Sequence, residues 1–166
     1  MKQITLALIK PDAVLSGCAG QLITEMEQNF TIGEMHGCKW PADLVREFYS
    51  EHKDRPFFLD LIAFMVSGPI IAVSLVGDDA VARWRTLMGA TDPKAADPGT
   101  IRQRFGSKDK PIMYNAVHGS DSEKSALREI DVIRFAQVAT HRHNRPARVL
   151  YPLPVFGDGA VRLVKE

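Results

Sequence analysis

Two uninterrupted apolar runs, Ile4-Thr-Leu-Ala-Leu-Ile9 and Ile70-Ile-Ala-Val-Ser-Leu-Val76, constrain this chain more than any other feature. Runs of this length without polar alternation read as strands buried inside a sheet, and neither approaches the length needed to span a bilayer. The intervening and following segments supply covers for such a sheet. The stretch from Gly20 to Gln28 is a helix with Leu22, Ile23 and Met26 on one face, and Thr31 to Lys39 is a weaker strand. Helical patterns follow over Ala42 to His52 and around Phe57 to Phe64. A further helix over Asp78 to Leu87 has Val81, Trp84 and Met88 spaced for burial. A strand carrying His118 and a helix reaching Ile130 complete an order of β-α-β, helical excursion, β-α-β. There are no internal repeats or low-complexity tracts.

At 166 residues, 45% of them hydrophobic, the chain is long enough for one domain, residues 1–166, with a real core. Its 21 basic and 20 acidic residues nearly cancel, so attraction to phosphate must come from local clusters. That balance argues against bulk nucleic-acid binding. Cys18 and Cys38 read as reduced thiols, since two cysteines without metal spacing make neither a disulfide framework nor a metal knuckle. The amino terminus enters the first strand at once, with no signal or amphipathic transit pattern. The expectation is a soluble cytoplasmic protein without membrane contact, a mitochondrial address remaining the alternative.

The run Asn115-Ala-Val-His-Gly-Ser-Asp-Ser122 has the layout of a reactive histidine. Gly119 would allow a sharp turn and close approach to a ligand, while Ser120 and Asp121 can cap the following helix. Ser120 and Glu123 also have capping-box spacing. A lone histidine in such a place would read as a bystander; other residues change its meaning. Lys10 should emerge at the end of the first strand, Arg85 lies in a helical stretch, Thr91 follows Gly89, and Arg102 lies beyond a loop containing Pro93, Pro98 and Gly99. Guanidinium forks match phosphate oxygens, and an ammonium adds a compact charge. Together these groups fit an anionic, nucleotide-like ligand.

With these motifs assembled, the chain resembles the nucleoside diphosphate kinase family. The resemblance rests on Ala7-Leu-Ile-Lys-Pro-Asp-Ala-Val14, Lys53-Asp-Arg-Pro-Phe-Phe58, Ser67-Gly-Pro69, Arg85-Thr-Leu-Met-Gly-Ala-Thr91, Pro98-Gly-Thr-Ile-Arg102 and Asn115 to Ser122, all in the family's order. It covers residues 3–130. The run beginning at Arg85 further resembles the divergent type 6 branch, in which activity is less dependable. The family implies a ferredoxin-like α+β fold, βαββαβ, with an antiparallel sheet covered by helices.

The resemblance also implies roles. His118 would accept the terminal phosphate of a triphosphate and pass it to a diphosphate in a ping-pong cycle. Glu129 would hold the other ring nitrogen, Tyr49 would pack beside the ring and Ser120 would support it. Lys10 would neutralise the transferring group and touch the ribose, Asn115 would bind a sugar hydroxyl, and Arg85, Thr91 and Arg102 would hold the phosphates. Phe57 would stack on the base, with Leu61 and Ile112 as apolar neighbours, an arrangement tolerant of base identity. The alternative for Phe57 is an ordinary buried helical face shared with Phe58, Leu61, Ile62 and Phe64. Mg2+ would be carried mainly by the nucleotide, since no carboxylate cage is evident. A homo-oligomer, hexamer or tetramer, is expected. A catalytically impaired nucleotide-binding scaffold of the same fold is the alternative function.

Two stretches depart from the family pattern. Between Phe105 and Asn115 the chain is a few residues longer than usual, which bears on the base-side wall at Ile112; Lys108 and Lys110 read as an exposed loop tip. The segment 131–166 is divergent. His141 and His143 lack acidic or thiol partners at ligand spacing and sit among arginines, which argues against a metal site. Pro152 and Pro154 mark an extended tail, and Gly157-Asp-Gly159 suggests a turn into a short final strand.

Overall fold

The computed structural model describes residues 2–141, 155–157 and 160–162, with side chains described over residues 2–134. Strands β1 (Lys2–Ile9) and β3 (Pro69–Asp78) are the two apolar runs, and they lie side by side in the middle of a four-stranded antiparallel sheet. The register runs from Lys2 opposite Asp78 to Ile9 opposite Ile71. Outside them lie β2 (Thr31–Lys39), paired with β3, and β4 (Val117–Gly119), paired with β1.

Both faces of the central strands are covered, which is why their sequences show no polar alternation. Leu6, Leu8, Ile70 and Ala72 point into one core, against α3 (Ala42–Phe48), α4 (Phe58–Met65) and the start of α7 (Glu123–His141). Ala7, Ile9, Val73 and Leu75 point into the other, against α2 (Ala19–Asn29) and α5 (Ala80–Met88), which contribute Leu22, Met26, Trp84 and Met88. The result is the expected ferredoxin-like α+β arrangement, strand order β2-β3-β1-β4. The edge strand β2 is half exposed and has a register shift between Ile32 and Met35, where the Ser74 hydroxyl accepts a bond from the Glu34 amide at 2.6 Å. A strand so placed buries little, hence its weak pattern.

Several boundaries differ from the sequence expectation. The helix expected over Ala42 to His52 ends at Phe48; Tyr49 breaks from helical geometry and a single 3-10 turn, Ser50–His52, continues the chain. Strand β3 runs on to Asp78, and Asp79 adopts a left-handed φ of 49° before α5 begins. Two short helices, α1 (Pro11–Leu15) and α6 (Ile101–Phe105), had no periodic signal because each is barely more than one turn. The helix after the histidine motif extends well past Ile130, to His141. Its cap is Ser122, whose hydroxyl accepts the Ser125 amide at 3.0 Å; Ser120 is engaged elsewhere. The expected short final strand is present as β6 (Ala160–Arg162), antiparallel to β5 (Val155–Gly157). His143, Pro152 and Pro154 lie outside the described residues.

Candidate active site

His118 sits in the middle of β4, opposite Leu8 of β1. The chain enters this strand through a tight turn at Ala116, which holds φ at 67° while the Val117 amide bonds back to the Asn115 carbonyl at 2.7 Å. That i to i+2 bond with positive φ is the strained form of the γ-turn, and a residue with a Cβ adopts it only when its surroundings insist. Here Asp12 Oδ2 accepts the Ala116 amide at 3.0 Å and the Lys10 amide donates to the Ala116 carbonyl at 2.8 Å. Asp12 pays for this with burial, which pushes its carboxyl above the usual range. The sharp turn expected at Gly119 therefore falls three residues earlier. Glycine is required at 119 for another reason: a Cβ there would lie 2.5 Å from the Trp84 ring and 2.6 Å from Met88.

Around the imidazole, Nε2 is 3.2 Å from Glu129 Oε2, and the Ser120 hydroxyl donates to the same oxygen at 2.6 Å. Glu129 reaches the ring from the second turn of α7 and is only 5% exposed. With Nε2 so occupied, Nδ1 is the ring nitrogen left for chemistry. Two rings meet the imidazole edge to face: Phe48, with centroids 5.4 Å apart, and Tyr49, 5.8 Å apart. Both come from the end of α3. Burial, reinforced by the charge of Glu129, drives the Tyr49 phenol far above its ordinary value, so it stays protonated and points to Met65 Sδ at 3.9 Å.

Lys10 leaves β1 almost completely buried. Its ammonium donates to Asn115 Oδ1 at 2.7 Å and to the Met113 carbonyl at 3.3 Å, and lies 5.9 Å from the centre of the Phe64 ring. Burial, and secondarily the Arg102 charge, lowers its pKa to about 7, with Asp12 opposing the shift. Asn115 donates in turn to the Thr91 carbonyl at 2.9 Å, so Lys10, Asn115 and Thr91 form one chain of contacts.

The two arginines are held differently. Arg102, on α6, donates to the carbonyls of Gly89 and Val117 at 3.0 and 3.2 Å, while its buried Nε has no protein partner. Burial, then repulsion from Arg85, lowers its pKa to about 10, and Tyr49 and Asp121 oppose this. Arg85 is half exposed and paired with the Asp121 carboxylate. Thr91 is exposed in the loop following α5.

The base-side residues separate. Phe57 stands 45% exposed at the start of α4, so it is not part of the buried helical face that takes in Leu61, Ile62 and Phe64. Its ring lies 5.9 Å from that of His52, which stacks over Tyr49 at 6.3 Å. Leu61 is in the core and Ile112 is exposed on the loop between α6 and β4. That loop is tied by the Ser107 amide bonding to the Tyr114 carbonyl at 2.8 Å, and Lys110 lies 5.0 Å from the centre of the Tyr114 ring. Sequence reasoning missed Asp12 and Phe48 as neighbours of the histidine strand. Asp12, two residues past Lys10, was visible only as a strand-end signal, and nothing in Phe48 distinguishes it from any other core aromatic. Among the described residues no group of three or more His, Cys, Asp or Glu side chains gathers to hold a metal ion.

A histidine–carboxylate dyad bordered by a lysine and two arginines, on a ferredoxin-like sheet, defines a protein built for anionic, phosphate-bearing ligands. The family model described as nucleoside diphosphate kinase matches residues 3–138. A nucleoside diphosphate kinase of Lawsonia intracellularis is 47% identical over 130 residues, covering 78% of this chain and 92% of the relative. One from Helicobacter pylori is 49% identical over 131 residues, covering 78% and 93%. Among solved structures, the Aquifex aeolicus nucleoside diphosphate kinase superposes with a TM-score of 0.76 at 37% identity, over 80% of this chain and 95% of that one. The Halobacterium salinarum enzyme, solved in complex with CDP, gives 0.75 at 37% identity, over 80% and 87%. The chain belongs to the nucleoside diphosphate kinase family.

Proposed function

We propose that this protein carries its family's activity through His118. It is a nucleoside diphosphate kinase, a phosphotransferase that moves the terminal phosphate of a nucleoside triphosphate to a nucleoside diphosphate. The observation that carries the assignment to His118 is its Nε2 contact with Glu129, itself fixed by Ser120, which orients the ring with Nδ1 free to react. The Nδ1 lone pair attacks the terminal phosphorus; a P–N bond forms as the bridging P–O bond breaks, and the diphosphate leaves with that electron pair. In the second half, a terminal oxygen of the incoming diphosphate attacks the same phosphorus and the P–N electrons return to Nδ1. Glu129 stabilises the positive charge that develops on the ring as it becomes phosphorylated.

Lys10, Arg85 and Arg102 supply positive charge for the phosphates, and the exposed Thr91 supplies a hydroxyl. Asn115, tied to Lys10, is the group we assign to a ribose hydroxyl. Phe57, exposed and stacking-competent, is the base platform; Leu61 supports it from the core and Ile112 is the outer apolar neighbour. Mg2+, bound mainly through the nucleotide phosphates, would neutralise charge on the leaving group.

We further propose one domain over residues 1–166, a homo-oligomer (hexamer or tetramer) and a cytoplasmic address. The exposed β2 edge and exposed Leu15, Leu59 and Leu127 support assembly, and the free Cys18 and Cys38 suit a reducing compartment. No described helix is long and apolar enough to cross a membrane. A net charge of +1 gives no reason to invoke nucleic acid.

The test is incubation with terminally labelled purine and pyrimidine triphosphates. The expected result is an acid-labile, base-stable phosphoenzyme with every base. His118→Ala should abolish labelling and exchange, by at least a thousandfold, while nucleotide binding is largely kept. Undiminished turnover in folded His118→Ala would remove the nucleophile assignment, and strict use of one base would remove the stacking model.

A further inference from the structure

On the side of Glu129 away from the histidine stands Arg128, a residue that no part of the site described above uses. Its guanidinium reaches three elements at once. Nη1 donates to the Phe48 carbonyl at 3.3 Å, at the end of α3. Nη2 lies 3.5 Å from Glu51 Oε2, in the 3-10 turn, and 3.8 Å from Glu129 Oε1. Its Nε is buried without a protein partner. The two oxygens of Glu129 are thus divided: Oε2 receives Ser120 and His118, while Oε1 faces Arg128.

This division has an electrostatic consequence. A carboxylate only 5% exposed interacts with its neighbours through a poorly screened medium. Balanced on its far side by a guanidinium, it draws less strongly on a proton at the imidazole, and the neutral ring is the nucleophile. Among the neighbouring groups, Tyr49 is held neutral and Arg85 is paired with Asp121, while Arg102 and Lys10 keep their contacts with backbone carbonyls and Asn115 and make none with Glu129. The same guanidinium also ties down Phe48, so it holds the ring wall beside His118.

We infer that Arg128 is a positioning residue for the phosphoryl transfer, balancing the charge of Glu129 and bracing the Phe48–Tyr49 wall beside His118. The inference rests on the reading of His118 as the phosphate acceptor. A guanidinium fork can face all three oxygens at once, whereas a lysine can keep the charge but not the fork.

The experiment follows phosphoenzyme formation against pH in the full chain, with NMR of the His118 ring protons as a readout independent of turnover. For Arg128→Gln the low-pH limb and the ring titration should both move to higher pH, by roughly one unit, the effect of one neighbouring charge. Arg128→Lys should keep the limb near its original position but melt earlier, because charge is restored and the brace is not. A residue with a purely structural role would lower melting in both variants and move the limb in neither; that result overturns the proposal. If Arg128→Gln does not fold, Glu51→Gln decides. Freeing Arg128 from Glu51 should move the limb to lower pH, and an unmoved limb there overturns the proposal as well. Wild type and His118→Ala are run beside them: no phosphoenzyme in wild type would sink the His118 reading and this inference with it. A wild-type phosphoenzyme with unshifted variants sinks this inference alone.

Discussion

Lys10 illustrates how one residue's environment becomes a measurable property of the enzyme. Its pKa lies at about 7 in the folded chain against an ordinary 10.5, because burial disfavours the ammonium. Between these values the unfolded chain binds a proton that the folded chain does not, so this residue alone makes stability rise with pH from about 7 upward. Binding an anionic triphosphate reverses the preference and draws the proton back. Calorimetry at pH near 8 in buffers of different ionisation enthalpy should therefore register proton uptake on nucleotide binding. Catalytic efficiency should fall on the alkaline side of about 7, and Lys10→Arg should lose that fall. Equal binding heats in all buffers would mean that Lys10 is already charged in the free enzyme. The same burial that depresses Lys10 holds it against Asn115, so positioning and pKa have one cause.

At the level of elements, the site depends on where helices stop and how closely a strand packs. Phe48 closes α3 and Tyr49 follows as its C-cap, with its amide still bonded to the Val45 carbonyl at 3.0 Å, so both rings reach the imidazole from the helix end. Strand β4 lies so close to α5 that Gly119 has no room for a methyl, and the Trp84 indole donates to the His118 carbonyl at 3.2 Å. Gly119→Ala should therefore destabilise the protein by about 1 to 3 kcal/mol, the usual cost of overpacking, and also lower activity by shifting β4. Thermal unfolding together with exchange assays would check this. A stable, fully active Gly119→Ala protein would mean that Trp84 and Met88 yield without moving the histidine.

For the molecule as a whole, the central sheet is closed on both faces while the edge strand β2 and several large apolar side chains remain exposed. The segment beyond α7 adds Leu150, Tyr151, Leu153, Val155, Phe156, Val161, Leu163 and Val164, a content unsuited to a solvated tail. It lies outside the span matched by the family model, which ends at residue 138, and we propose that it serves assembly or stability. A chain ending after Ala147 should melt several degrees lower or sediment as a smaller oligomer while keeping its phosphoenzyme. Light scattering and thermal unfolding test this, and unchanged mass with unchanged melting would show that the segment is dispensable.

The fold was legible from the sequence because burial on two faces leaves a continuous apolar run, and β1 and β3 each carry one. The ligand class was legible from residue types, since lysine, arginine and a histidine motif announce phosphate chemistry wherever they meet. What only the tertiary structure decided was contact. Nothing in the spacing of residues 118 and 129 requires a 3.2 Å bond, because it depends on how α7 docks against β4. An alanine carries no mark of positive φ, so the strained turn at Ala116 becomes visible only with Asp12 and Lys10 around it. Arg128 is likewise one more helix charge in the sequence. It reaches Phe48 and Glu51 because packing brings the end of α3 against α7, and such long-range proximity is a property of the folded chain that no local pattern encodes.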